Sequence, residues 1–211
     1  MIEATGLANG ASPQALLADY QAEQERVREL LGETPLADLP SLAAWRRVFS
    51  RFGAKPTQCR SAAEALLRRL TKQGDIPSIN ALVDLGNFVS IRYALPVAVI
   101  DLGGIAGSIT VRFADGAETF TDLGSAEAVH PEPGEVVFVD DDSVACARRW
   151  CWRQSQESAT TLATTEALFV VEGHHSTAAG DVTAAVADLA GLLATDQPQA
   201  SFNSYFLNIA S

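Results

Sequence analysis

Apolar positions recur at helical spacing up to residue 93 and at alternating spacing beyond it, so the pattern changes period near Pro96. Residues 1–11 show neither period and are expected to fray. Leu16, Leu17, Tyr20, Val27, Leu30 and Leu31 predict a helix that opens at Ser12 and Pro13 and stops at Gly32. A second helix is predicted from Ser41 to Gly53, burying Trp45, Val48, Phe49 and Phe52. Ser61 and Glu64 have the spacing of a capping box and open a third, which buries Leu66, Leu67 and Leu70 and ends at Gly74. A fourth is predicted from Ser78 to about Tyr93.

Beyond Pro96 the runs VAVIDL, SITVRF, AETFTDL, EVVFVD, VACARRWCW and EALFVVEG read as short strands separated by Gly, Pro and Asp turns. ADG at 114–116 fits a tight hairpin. A last helix is expected from about Asp181 to Leu193, and the tail from 196 reads equally as a docked segment or as disorder. Helices first, a mostly antiparallel β region second and a closing helix predict the α+β class. The expected divisions are a helical extension at 1–40, a main domain at 41–195 and a tail at 196–211.

One stretch resists this scheme. In VDLGNFVSIRYALP, residues 83–96, Asp84, Asn87, Ser90 and Arg92 are threaded among apolar residues, although polar groups are costly to bury. They face solvent or line a site.

With 211 residues, 47% of them hydrophobic, the chain can fill one sizeable core. It has no run of eighteen uncharged apolar residues and no basic-then-apolar leader, so a soluble cytoplasmic protein with no membrane partner is expected. Cys59, Cys146 and Cys151 make an odd count without zinc spacing and read as reduced, packed thiols. A net charge of −11 argues against a general nucleic-acid binder, but Arg46, Arg47, Arg51, Lys55, Arg60, Arg68, Arg69 and Lys72 fall in one window with a single acid, Glu64. That window carries +7 and the remainder −18, an asymmetry that points either to a surface facing a polyanion or to two solvated helix faces.

No nucleophile elbow, zinc-protease motif or P-loop is present. DLGGIAGS at 101–108 lies between strand runs and reads as a turn rather than a phosphate cradle. His174 and His175 lack ligand spacing, so no metal and no cofactor is expected. Any chemistry here depends on positioning more than on an activated protein nucleophile.

The order of IPSINALVDLGNFVSIRYALPVAVIDL, VRFADGAETFTDLG and PGEVVFVDDDSVACARRWCWRQSQESATTLATTEALFVVEG resembles the editing domain of the bacterial phenylalanyl-tRNA synthetase β subunit and its freestanding relatives, over roughly residues 45–195. The resemblance implies hydrolysis of the ester joining a wrong amino acid to tRNA, acting in trans, with tRNA as partner. It implies catalytic roles for Asn87, in D-x-x-N, and for Glu172, in FVVEG, which would contact the misplaced side chain. Asn80, Asp84, Gly86, Ala98, Arg149, Arg153 and Gln154 are the expected substrate-binding positions. Arg46, Arg47, Arg51, Arg68 and Arg69 are expected to bind tRNA.

Gly86 and Ala98 stand where the synthetase domain has threonine and histidine. Those departures turn the expectation from a tyrosine phenol toward a cationic or polar side chain, such as canavanine on arginine tRNA. On the residues alone, Glu172 also reads as a strand-end carboxylate in water, Asn87 as a core residue and the RRWCWRQS arginines as a solvated strand face. Tyrosine-type editing and a non-catalytic tRNA- or amino-acid-binding module are the competing functions.

Overall fold

The computed structural model describes residues 1–207. The helices α1 (Gln14–Leu31), α2 (Pro40–Arg51), α3 (Ala62–Gln73) and α4 (Ala81–Tyr93) precede most of the strands, and α5 (Ala178–Asp196) follows them. Ser61 caps α3 by accepting the Glu64 N–H at 3.3 Å, and Gly74 closes it in the left-handed region at φ 87°. The capping box is one-sided, because the Glu64 carboxylate turns instead to the Arg46 guanidinium at 2.5 and 3.0 Å. The fourth helix begins at Ala81, later than the sequence suggests. Asn80 is its cap, accepting the Val83 N–H at 3.0 Å, while the Ser78 hydroxyl is drawn to Asp84.

Among the described residues the strands form three antiparallel sheets. The first has the order β10 (Ser201–Ser204), β1 (Ile2–Thr5), β9 (Glu166–Val171), β2 (Val97–Asp101). The second has the order β3 (Thr110–Phe113), β6 (Val136–Val139), β7 (Ala145–Arg148), β8 (Arg153–Gln154), and β4 (Phe120–Thr121) pairs with β5 (Ala128–Val129). The first strand corrects one expectation. Residues 1–11 do not simply fray, since Ile2 and Ala4 are fully buried and Ile2 sits opposite both Phe169 and Ser204. The same sheet joins strands from the expected extension (β1), main domain (β2, β9) and tail (β10). A four-residue strand offers only two alternations, too few to stand out as a period.

ADG at 114–116 makes a turn but not a hairpin. Buried Glu118 accepts the N–H groups of Asp115 and Gly116 at 3.1 and 3.0 Å and pairs with Arg112, which sends the chain away from β3; β3 pairs with β6. The last helix starts three residues earlier than expected and is long and apolar enough, by length and composition alone, to cross a membrane. Its Val182, Ala185, Leu189 and Leu193 pack into the main core, and its Asp188 holds Arg92 at 3.0 Å and Tyr93 at 2.7 Å.

Strand alternation divides the first sheet between two environments. Val97, Val99, Phe169 and Val171 face the helices in the main core. Ala98, Ile100, Leu168 and Val170 face the second sheet, where they meet Phe138, Cys146 and Ala147. Gly86 allows α4 to lie close on β2, since a Cβ there would come within 2.7 Å of a Val99 methyl carbon. The candidate site lies on the other face of this sheet.

Candidate functional site

A narrow cavity of about 80 Å³ opens between the two sheets, with room for two or three waters at ~30 Å³ each. Pro96, Val97, Ala98 and Ile100 line one wall, Phe138 and Ala147 another, and Ala62 with the loop from Trp150 to Gln154 forms the remainder, around the carboxyl of Glu172. The alternation that sends Leu168 and Val170 toward the second sheet carries one step beyond β9 and delivers Glu172 to the same side. Trp150 donates its indole N–H to Glu172 at 2.9 Å. Burial pushes the Glu172 carboxyl up to about 7, outweighing that hydrogen bond. A second cavity, about 230 Å³, shares Glu172 and Trp150 and is bounded by His174, the start of α5 and the side chains of Phe206 and Leu207.

The loop after β7 is set by local backbone and by aromatic packing. Arg149 and Trp150 both take positive φ, 47° and 61°, a conformation that non-glycine residues adopt only when the surroundings enforce it. The surroundings are identifiable. The Trp150 backbone N–H donates to the Val136 carbonyl at 2.7 Å, and its ring meets Trp45 edge-on at 5.5 Å and His174 at 5.1 Å. Arg149 donates to Glu135 at 2.7 Å and reaches Cys59, and Ala62 donates to the Cys151 carbonyl at 2.9 Å. Burial raises the Cys151 thiol far above its usual range, which favours the protonated form of this cavity cysteine.

The structure thus gathers Glu172, Ala98, Arg153 and Gln154 around one cavity and removes other expected residues from it. Asn80 caps α4 and donates to Thr160 at 3.2 Å. Asp84, fully buried, collects the Ser12 hydroxyl at 2.6 Å and the Ile79 N–H at 2.9 Å together with Ser78, and so pins the chain before α1 to the start of α4. Gly86 is a packing glycine. Asn87 lines neither of Glu172's cavities and lies beside the buried Tyr20 hydroxyl, which has no hydrogen-bond partner among the described residues. Ser90 donates to the Leu95 carbonyl at 2.7 Å, and Arg92 pairs with Glu23 at 2.9 Å. The polar residues threaded through α4 are therefore ties within the fold, with Asn87 set against α1. Asn87 and Glu172 do not border a common cavity among the described residues.

Arg149 is likewise spent on Glu135 and Cys59. Gln154 borders the cavity, but its amide donates to the Val99 and Ser158 carbonyls at 2.8 and 2.7 Å. Among the basic residues, Arg46 is bound to Glu64, and Arg69 donates to the Asp75 carbonyl at 3.1 Å. Arg47, Arg51, Lys55, Arg68 and Lys72 are exposed and make no ion pair or side-chain hydrogen bond among the described residues. The sequence reading passed over Trp150 and Trp152. The signal available was W-x-W set between arginines.

This is an α+β module whose residues 44–184 match the B3/4 domain family, and the chain belongs to that family. Its relatives include subunits of an aminoacyl-tRNA synthetase. The phenylalanine–tRNA ligase β subunit of Shewanella oneidensis is 29% identical over 119 residues, 56% of this chain and 15% of that subunit. The same subunit of Chromobacterium violaceum is 34% identical over 77 residues, 36% of this chain and 10% of that one. The chain therefore spans only a small part of the relatives it matches. Among solved structures, an N-terminal fragment of the phenylalanyl-tRNA synthetase β subunit from Pyrococcus horikoshii aligns with a TM-score of 0.47 at 13% identity, over 58% of this chain and 41% of that one.

Proposed function

We propose that this synthetase-related module is a hydrolase that deacylates mischarged aminoacyl-tRNA in trans. The observation that carries the reading is the Glu172 carboxyl, held by Trp150 in a cavity whose other walls are largely apolar. An aminoacyl ester is already activated. It needs a placed water and a held oxyanion more than a protein nucleophile, and a ribose hydroxyl of the substrate can orient the water. The protonated Cys151 agrees with such a mechanism, in which the protein holds the ester and reads the side chain while the products are the free amino acid and the tRNA terminal hydroxyl.

The side chain best suited to this cavity ends in a cationic or polar group of guanidine or amine type, such as canavanine on arginine tRNA would present. A cation beside Glu172 lowers its pKa, so that the carboxyl releases its proton to water and makes a charge-assisted contact in a poorly hydrated place. Ala98 leaves open the space beside it. Arg47, Arg51, Arg68 and the neighbouring lysines supply the free positive charge that a phosphate backbone requires.

A panel of mischarged tRNAs incubated with catalytic amounts of protein tests the reading. Release of at least one noncognate amino acid above buffer hydrolysis, with the cognate pair spared, is the expected result. Release of tyrosine alone would replace the cationic substrate by a phenol, and protection of every ester would make the chain a binding module.

A further inference from the structure

We propose that Arg153 and Trp152 form a stacking platform that seats the terminal nucleobase of the acceptor strand, a subsite that rests on the deacylase reading and adds to it. Both residues line the cavity that holds Glu172. The Arg153 guanidinium carbon lies 4.7 Å from the centre of the Trp152 ring and that of Arg149 lies 4.8 Å from it, so the indole is held among cations. Arg149 is fixed by Glu135, which makes it a support rather than a ligand.

Arg153 is different. Its side chain is 51% exposed, and among the described residues its one ion-pair partner is a single Asp122 oxygen at 2.9 Å. That contact leaves the guanidinium plane available while it offsets the charge. A phosphate would meet the Asp122 carboxylate beside its cation, whereas a base stacked on the guanidinium plane brings no negative charge against that carboxylate. The geometry therefore favours a base over a phosphate. It also suits the substrate, because the ribose that carries the ester joins base and amino acid, and the platform and Glu172 border the same cavity.

The direct test uses adenosine 5′-monophosphate with ribose 5-phosphate as the base-less control, read on the Trp152 indole N–H resonance, which is identified by its loss in Trp152→Phe. Saturable movement with the nucleotide and none with the sugar phosphate is expected, and Arg153→Lys, which keeps the charge but loses the plane, should weaken binding by about five- to tenfold. Equal movement with both compounds, or movement with neither, overturns the platform. The kinetic arm compares a mischarged tRNA ending in adenosine with one whose last nucleotide lacks its base. Wild type should favour the intact substrate by roughly tenfold or more in kcat/KM, and Arg153→Lys should bring the ratio toward one. Hydrolysis indifferent to the base would remove the platform and leave deacylation standing. Nucleotide binding at Trp152 in a protein that hydrolyses nothing would remove deacylation and leave the platform.

Discussion

Glu172 carries opposite consequences for stability and for recognition. Its carboxyl titrates near 7 in the fold, raised by burial from the ordinary 4.5. Between those values the folded chain keeps a proton that the unfolded chain has released, so stability falls as pH rises through that window and levels off above it. Glu172→Gln retains an acceptor for the Trp150 N–H without this penalty. Its melting temperature should match wild type near pH 4.5 and exceed it increasingly up to about pH 7, as thermal melts across that range will show; a parallel pair of curves would refute the buried, protonated carboxyl. At pH 8 the same variant should lose about one to two orders of magnitude in kcat/KM on a cationic substrate, corresponding to ~1.5–3 kcal/mol for the lost charge-assisted contact. Greater stability with weaker catalysis would mark a residue kept for its site. At this scale the direction of Glu172 was legible, because strand alternation decides where it points. The places of Asn80, Asp84 and Asn87, away from that cavity, were not, because a helix that buries most of its circumference leaves no polar face from which to infer a pocket.

At the scale of elements, the close approach of α4 to β2 depends on Gly86. An added methyl would overlap the β-branched Val99, at an overpacking cost of ~1–3 kcal/mol, against a gain of about 1 kcal/mol in helix propensity. Gly86→Ala should therefore lower stability by about 1 kcal/mol in urea titrations, and Gly86→Thr by more. A neutral threonine would show that the two elements separate easily. The helices α2 and α3 divide their cations into bound and free, a division that no spacing rule reveals, since Arg46 and Arg47 are neighbours in sequence with opposite roles. Replacing Arg47, Arg51 and Arg68 by alanine should raise the half-saturating tRNA concentration and flatten its salt dependence, with the rate at saturation less affected. Arg46→Ala should act instead on stability, because it leaves buried Glu64 without its closest cation. The helical elements themselves were legible, their caps and stop signals being local. The strand pairings were not, because partners far apart in sequence leave no local trace.

For the whole molecule, the position of β1 matters most. Ile2, fully buried between strands from the far end of the chain, should cost ~2–5 kcal/mol on truncation to alanine, a loss measurable as a lower denaturation midpoint. A change below ~0.5 kcal/mol would mean that β1 only decorates the sheet. The family match begins at residue 44, inside α2, so β1, α1 and β10 lie outside it while completing the same sheet and core.

The pairing of β1 also sets an order of events during synthesis. Both neighbours of this strand, β9 and β10, come late in the chain. At roughly 5–20 residues per second, Ile2 waits on the order of ten to thirty seconds after translation before Phe169 leaves the ribosome to meet it. The nascent protein must therefore carry β1 unpaired until β9 and β10 have been made, and the sheet that backs the cavity closes only then.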